Sequence, residues 1–296
     1  MSRSSAEPRS TPTLSIVVGS NGAPEALEGC LAALAPQVDG SEVIVCEPAP
    51  SPPELRERFP FARFHVRAGA LVPALWRDGI DASTGEVVAL TISPMRPAPD
   101  WVETIRRLAG DAEAVAGAID PAPGLRLADW AEYFCRYARD MLPFEGHECI
   151  DLPGDNAAYT RAALEQTRPL YRDGFWEPDV NRRLSADGAR LWHAPELVVR
   201  QGRSAGAAAF TRQRLQHGRA HGRQRGARFG RARNLAGVVG APLVPALMTL
   251  RVLRETQLRR RFRSRALAAL PLVVWFNAAW AAGEARGHLD ALRQHG

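Results

Sequence analysis

The sequence predicts an α/β fold, a mostly parallel central sheet with flanking helices, followed by a C-terminal helical tail. Three observations carry this expectation. Short β-branched runs alternate with helical apolar periods over residues 14–90, polar or proline-rich turns close each run, and beyond Arg200 both charge and hydropathy change sharply. At 296 residues the chain has room for one large domain and an appendage, since a single core rarely grows past about 250 residues.

The first run, Leu14 to Val18, ends at Gly19-Ser20-Asn21-Gly22, the pattern of a buried parallel strand entering a turn. Pro24 then opens a helix over Glu25 to Leu34, with Ala26, Leu27, Cys30, Leu31 and Leu34 at three- and four-residue spacing. A second strand, Glu42 to Cys46, is broken by the proline-rich stretch from Glu47 to Pro53. Arg63 to Val66 makes a third strand, Val72 to Ala82 a helix, and Glu86 to Leu90 a fourth strand. This alternation is the signature of right-handed βαβ units, whose ligands bind beyond the carboxyl ends of the strands. The loops at Gly19 to Gly22, Glu47 to Pro50 and Thr91 to Arg96 are therefore expected to share a cleft. Further on, a helix is expected over Asp100 to Leu108, a strand near Ala114 to Ile119, helices over Trp130 to Asp140 and from Thr160, and a last one over Val180 to Ala186.

With 46% hydrophobic and 24% charged residues, the composition is that of a globular protein and excludes both wholesale disorder and a polytopic membrane protein. All 38 basic residues are arginines, and the net charge is +6. The four cysteines, Cys30, Cys46, Cys135 and Cys149, form no CxxC pair of the zinc-binding kind and fit a reducing compartment. Histidines 65, 147 and 193 show no i,i+4 or HxH spacing, and Glu145 to Cys149 reads as a loop before a strand, so no metal ligand set is assigned. The polar first residues hold no signal-peptide core.

The ordered stretches LSIVVGSNG, EVIVCEP, LWRDGIDASTGEVVALT, LPGDNAAYTRAAL and GFWEPDVNRRL resemble the family-2 glycosyltransferases of GT-A type, Rossmann-like fold, over about residues 13 to 200. The resemblance implies a nucleotide-sugar donor. It implies that Gly19, Ser20, Asn21 and Glu47 hold the nucleotide base and ribose, a task for which a carboxylate is apt because it accepts hydrogen bonds from an imide or a hydroxyl. On its own residues, Glu47 equally reads as the start of a solvated loop. Arg77 stands where the family turns a polar helix end toward the diphosphate, and it reads equally as a solvated helix face. The family's Asp-x-Asp motif after the fourth strand holds a divalent ion, Mn2+ or Mg2+, but here the stretch is Ala89-Leu-Thr-Ile-Ser-Pro-Met95, with no carboxylate and only Ser93 as a neutral oxygen. The usual ligands being missing, arginines such as Arg96, a carboxylate from elsewhere such as Asp155, or loss of catalysis are the three readings.

By the same resemblance the inverting transfer uses a carboxylate base at the position of Glu177, with Trp176 as a platform for the acceptor sugar and Gly154, Asp155 and Asn156 in a turn near acceptor and donor sugar. Glu177 also suits the acidic first turn of a helix. From Arg200 to Arg233 ten arginines occur without an acidic residue, which suits an anionic membrane surface; nucleic acid is disfavoured by the scarcity of interleaved aromatics. The apolar segments Leu235 to Leu250 and Ala266 to Ala282 are short for spanning, and the seven arginines between Arg251 and Arg265 oppose translocation of their connection. Helices lying in the membrane face satisfy both constraints, and a soluble helical hairpin packed on the domain or on another subunit is the alternative.

The expected organisation is a disordered lead-in over 1–12, a glycosyltransferase-like domain over 13–205, an arginine-rich helical linker over 206–233 and an apolar, membrane-associated helical segment over 234–296. The expected function is transfer of a sugar to a lipid-linked or polysaccharide acceptor at the cytoplasmic face of a bacterial inner membrane, with peripheral or monotopic attachment. The alternative is a catalytically degenerate scaffold in a surface-polysaccharide pathway.

Overall fold

In the computed structural model, residues 13–203 and 206–294 are described; the lead-in expected over 1–12 lies outside them. A nine-stranded sheet forms the centre. Strands β1 (Leu14–Gly19), β2 (Ser41–Glu47), β3 (Ala62–Val66) and β4 (Val87–Ile92) run parallel in the order β3-β2-β1-β4. β1 and β4 are buried along their whole length, as expected of apolar runs covered on both faces. Because the chain first builds away from β1 through β2 and β3 and then returns to its other side at β4, the order reverses at β1/β4. A cleft beyond the carboxyl ends of these strands follows from that topology.

The connecting helices are α1 (Pro24–Leu34), α2 (Pro53–Arg58) and α3 (Val72–Ala82). The proline-rich stretch after Glu47 thus holds a helix that composition concealed, since Pro53 pre-sets the backbone angle of a first helical turn. Beyond β4 come β5 (Met95–Pro97), α4 (Trp101–Leu108), β6 (Ala114–Pro121), α5 (Leu127–Tyr137), β7 (His147–Glu148), β8 (Asn156–Thr160), α6 (Arg161–Thr167), α7 (Glu177–Ala186) and β9 (Leu191–Gln201). β8 is antiparallel to both β4 and β6, β9 is parallel to β6, and β5 and β7 pair with the outer edge of β9. Helix α5 starts three residues earlier than expected, opened by Asp129, whose carboxylate accepts from Arg126 N at 2.8 Å and from the Arg126 guanidinium at 2.9 and 3.0 Å. Helix α7 also starts earlier, at Glu177, because Pro178 suits its first turn. The Glu145 to Cys149 stretch, expected as a loop, contains the strand β7.

The C-terminal residues fold into α8 (Ala207–Arg228), α9 (Arg231–Gly240), α10 (Val244–Leu258) and α11 (Arg263–Gln294). α8 and α11 run side by side in the same direction, with α9 and α10 as the return. Glycines permit the close approach: a Cβ on Gly218 would stand 2.3 Å from Trp280 O, and one on Gly222 would stand 2.2 Å from Glu284 O. α11 also packs on α5, where Phe262 lies 4.8 Å from Trp130. Arg261 ties the tail to the sheet through Asp120, both contacts at 3.1 Å. Most of the arginine-rich stretch is therefore the long helix α8, laid over the α/β domain, and its last two arginines open α9.

Candidate active site

The first cavity, of about 280 Å³, opens where the topology places it, lined by Ser20, Asn21, Pro48, Gly69 to Val72 and, from α8, Phe210, Arg212, Gln213 and His217. Its floor is fixed by the β1 loop. Asn21 N donates to Ser93 Oγ at 3.1 Å, the Ser93 hydroxyl donates back to Asn21 Oδ1 at 2.8 Å, and Ser93 N donates to Gly19 O at 3.0 Å. Gly19 leaves space for Trp76, whose indole Nε1 would stand 3.1 Å from an added Cβ. Across the cavity α3 begins, with Val72 at its first position and Pro73 behind it, so the positive end of its dipole faces the hollow, while Ala74 N and Leu75 N donate to Leu71 O at 2.9 and 3.1 Å.

The second cavity, also about 280 Å³, shares Val72, Phe210, Gln213 and His217 with the first and adds Trp76, Arg136, Asp155, Trp176, Glu177, Arg214, His221 and Trp280. The two form one continuous cleft roofed by α8. Glu177 stands in the first turn of α7, half-buried. A methyl on Gly154 would meet Glu177 Cδ at 3.2 Å and Trp76 at 3.1 Å, so the glycine is what lets the 152–155 turn lie against the carboxylate. Burial, and after it the negative charge of Asp155, push the Glu177 carboxyl up to about 7. Asp155 Oδ2 accepts from Arg136 Nη2 at 2.6 Å and from the Tyr137 hydroxyl. Trp176 is the residue before α7, its ring 6.5 Å from His217 and 6.2 Å from His221. Arg214 is buried, its guanidinium 4.4 Å from the Trp280 ring; desolvation lowers its pKa to about 10, which leaves it charged at neutral pH.

Of the residues expected from sequence, Ser20, Asn21, Asp155, Trp176 and Glu177 line the joined cavities, and Gly19, Ser93 and Gly154 shape them from beneath. Three stand otherwise. Glu47 ends β2 at the cleft edge, but its buried carboxylate accepts from Arg56 and from Ser51, and it is Pro48 that reaches the cavity. Arg77 pairs along its own helix with Asp78 at 2.7 Å and Asp81 at 3.6 Å. Asn156 is fully buried within the sheet, where Trp101 Nε1 donates to it at 2.7 Å and its amide donates to Ala118 O and Leu197 O at 3.0 and 2.9 Å.

Residues that local spacing did not single out complete the cleft: Arg136 and Tyr137 from α5, and Phe210, Gln213, Arg214, His217, His221 and Trp280 from α8 and α11. Gly218, Gly222 and Gly226, each four apart, were the available signal, since a glycine stripe on a helix permits another helix to approach closely.

The fold is GT-A-like, a mixed α/β sheet with flanking helices and a C-terminal apolar helix. Similar solved structures include the mannosyltransferase PcManGT from Pyrobaculum calidifontis, in complex with GDP-Man and Mn2+, at a TM-score of 0.54 and 18% identity over 96% of this chain and 88% of that one. They also include GalNAc-T7 with UDP, GalNAc and Mn2+, at a TM-score of 0.50 and 14% identity over 66% of this chain and 44% of that one. No protein-family profile and no curated protein sequence matches the chain.

Both neighbours hold Mn2+. Where β4 ends, this chain has Ile92, Ser93, Pro94 and Met95; the Ser93 hydroxyl is engaged by Asn21, and the carboxylate of Asp155 is engaged by Arg136 and Tyr137. These residues do not make the oxygen-rich cage that a hard cation requires.

Proposed function

We propose that the protein is a glycosyltransferase of family-2 type that moves a sugar from a nucleotide donor to a lipid-linked or polysaccharide acceptor with inversion. The observation that carries this reading is the joint placement of Asn21 and Glu177 in one cleft at the strand ends, with the carboxyl of Glu177 poised near neutrality. The nucleotide lies in the first cavity, its diphosphate toward the start of α3, where the helix dipole favours negative charge. The donor sugar and the acceptor hydroxyl meet in the second cavity, on Trp176.

In the transfer step Glu177 takes the proton of the acceptor hydroxyl as its oxygen bonds to the anomeric carbon and the bond from that carbon to the diphosphate breaks. Arg212 and Arg214, which line the cleft from α8, supply positive charge for the departing diphosphate. No step is assigned to a divalent ion.

The acceptor reading and a position at the cytoplasmic face of a bacterial inner membrane rest on the tail. Leu235, Val239, Leu243, Leu247 and Leu250 are exposed at three- and four-residue spacing along α9, α10 and the turn between them, and Trp275 is exposed on α11. Residues 231–258 and 263–293 are long and apolar enough to cross a membrane by length and composition, the second 44% buried over its most apolar window. Peripheral or monotopic attachment suits them best, because the seven arginines of 251–265 then stay on one side. Trp280 lines the second cavity from this same layer, so a lipid-borne acceptor reaches Glu177 along it.

Calorimetry with a panel of nucleotide diphosphates, with and without Mn2+, followed by a donor screen on the full chain, tests the reading. Saturable binding and turnover that ends in Glu177→Gln sustain it. A second reading, a degenerate scaffold, is favoured by the engagement of the Glu47 carboxylate with Arg56, and absence of binding to every nucleotide diphosphate selects it.

A further inference from the structure

Outside the cleft, the outer edge of the sheet holds a group of side chains that the transfer chemistry does not use. β7 and β9 pair antiparallel with His147 opposite His193, and one step on Cys149 N donates to Leu191 O at 3.0 Å. Alternate residues of an extended strand share a face, and so do residues directly opposite across an antiparallel pair. His147, Cys149 and His193 therefore project together, and one ligand atom from each lies within 4.8 Å of the other two. The chain spacing hid this, because the third member is more than forty residues further along.

We propose that His147, Cys149 and His193 form a binding site for a divalent cation of the zinc class, distinct from the nucleotide cleft. Both imidazoles are already steered by backbone carbonyls. His147 Nδ1 lies 2.8 Å from Glu145 O and His193 Nε2 lies 3.3 Å from Gly117 O, which makes each of those nitrogens the donor and leaves His147 Nε2 and His193 Nδ1 as the lone-pair ends. Phe144 stacks on the His193 ring at 4.3 Å and fixes its plane. With metal–nitrogen bonds of about 2.0 Å and a metal–sulfur bond of about 2.3 Å, tetrahedral ligands stand roughly 3.3 to 3.7 Å apart, so the group draws in by about an ångström on binding. His147 is exposed and has the side-chain freedom to do so.

One thiolate with two imidazoles selects zinc over the hard cations magnesium and manganese, and three protein ligands leave the fourth position to water. Binding forms one metal–sulfur and two metal–nitrogen bonds and releases the thiol proton to solvent. The cation then pins residues 147–149 to β9. Gly154 and Asp155 follow a few residues later, so the site anchors the segment that carries them into the cleft.

The test uses the full chain stripped with a chelator and dialysed against Zn2+, with bound metal read by elemental analysis, and a parallel titration with Co2+ read by its absorption spectrum. One cation per chain is expected, with the thiolate-to-cobalt charge-transfer band in the near ultraviolet and the visible bands of a tetrahedral ion. Cys149→Ser and the exposed His147→Ala are expected to weaken binding by about 100-fold, whereas Cys135→Ser and His65→Ala leave it unchanged. Circular dichroism establishes that each variant is folded. Substoichiometric zinc, a cobalt spectrum without the thiolate band, or affinity unchanged in folded His147→Ala and Cys149→Ser overturns the proposal. Metal content is read without any transfer assay, so the result stands apart from the fate of the glycosyltransferase reading.

Discussion

Arg136 Nη2 donates to Asp155 Oδ2 at 2.6 Å in the wall of the second cavity, and the Tyr137 hydroxyl donates to the same oxygen. Burial works against the charge on Arg136, but Asp155, Tyr137 and Glu132 outweigh it and raise its pKa. The carboxylate that sequence position offers to a cation is thus held by a guanidinium from α5. An ion pair of this kind is costly to break from one side, because the partner is left charged and poorly solvated.

Arg136→Ala is therefore expected to lower stability by about 3–5 kcal/mol, the range for a buried charge left alone. Removing both members with Arg136→Ala/Asp155→Ala is expected to cost less than the single change. Denaturant unfolding of the two single variants and the double variant measures the coupling, and additive losses would show that the pair is not an energetic unit.

Glu177→Gln keeps the shape of the side chain while removing its basicity, so transfer is expected to fall by at least about 100-fold with nucleotide affinity retained. A base must be deprotonated to act, and the Glu177 carboxyl is held up to about 7, so the rate of the unaltered protein rises with pH through that value. A rate already level from pH 5 upward would remove Glu177 from the role.

Gly154→Ala separates position from chemistry. The added methyl meets Glu177 Cδ at 3.2 Å and Trp76 at 3.1 Å, contacts tight enough to displace a carboxylate by tenths of an ångström but not to unfold the domain. Turnover is expected to fall by about tenfold or more while the melting temperature moves little, since misplacement of reacting groups lowers rate steeply. Kinetics alongside a thermal melt decide it.

The parallel half of the sheet was legible because β1, β2 and β4 are buried on both faces and so read as unbroken apolar runs. β9 was not: Pro195 and Glu196 interrupt its alternation, and its register with β6 shifts between Gly117 and Ala118. Asn21 and Glu177 sit in local motifs that the fold brings to the joined cavities. Arg136 and His217 meet only through packing between segments about 80 residues apart, which no local pattern records. Glu47 illustrates the opposite limit, since its position at the end of β2 was readable and the arrival of Arg56 on its carboxylate was not.

The glycine stripe between α8 and α11 gives a test of the roof. In Gly222→Leu the first carbon of the side chain would fall 2.2 Å from Glu284 O, a backbone atom that cannot turn aside, so the helices must part. A loss of about 1–3 kcal/mol is expected for such overpacking. Because Gln213 and His217 line the cleft from α8, nucleotide affinity falls with it. Gly240→Ala, where an added Cβ meets nothing, is the matched control.

The dependence of stability on pH follows from four perturbed groups. Burial lowers His217 to about 3 and His193 to about 4, below the usual 6.5, so between those values and 6.5 the unfolded chain binds protons that the folded chain refuses. Burial raises Glu177 to about 7 and Asp140 to about 6, above their usual 4.5 and 3.8, so over those intervals the folded chain binds protons that the unfolded chain has released. Between about pH 4.5 and 6 the two pairs oppose each other and stability changes little. Glu177 no longer compensates below 4.5 and Asp140 no longer does below 3.8, so His217 alone then contributes a loss approaching 1.4 kcal/mol per pH unit as pH falls toward 3. Lowered carboxylates such as Glu42 and Asp187 add losses of the same sign at the acid end. Urea unfolding from pH 3 to 7 is expected to show a plateau above a steep acid limb, and His217→Gln is expected to make that limb shallower; a limb of unchanged slope in that variant would mean that His217 does not resist protonation in the folded chain.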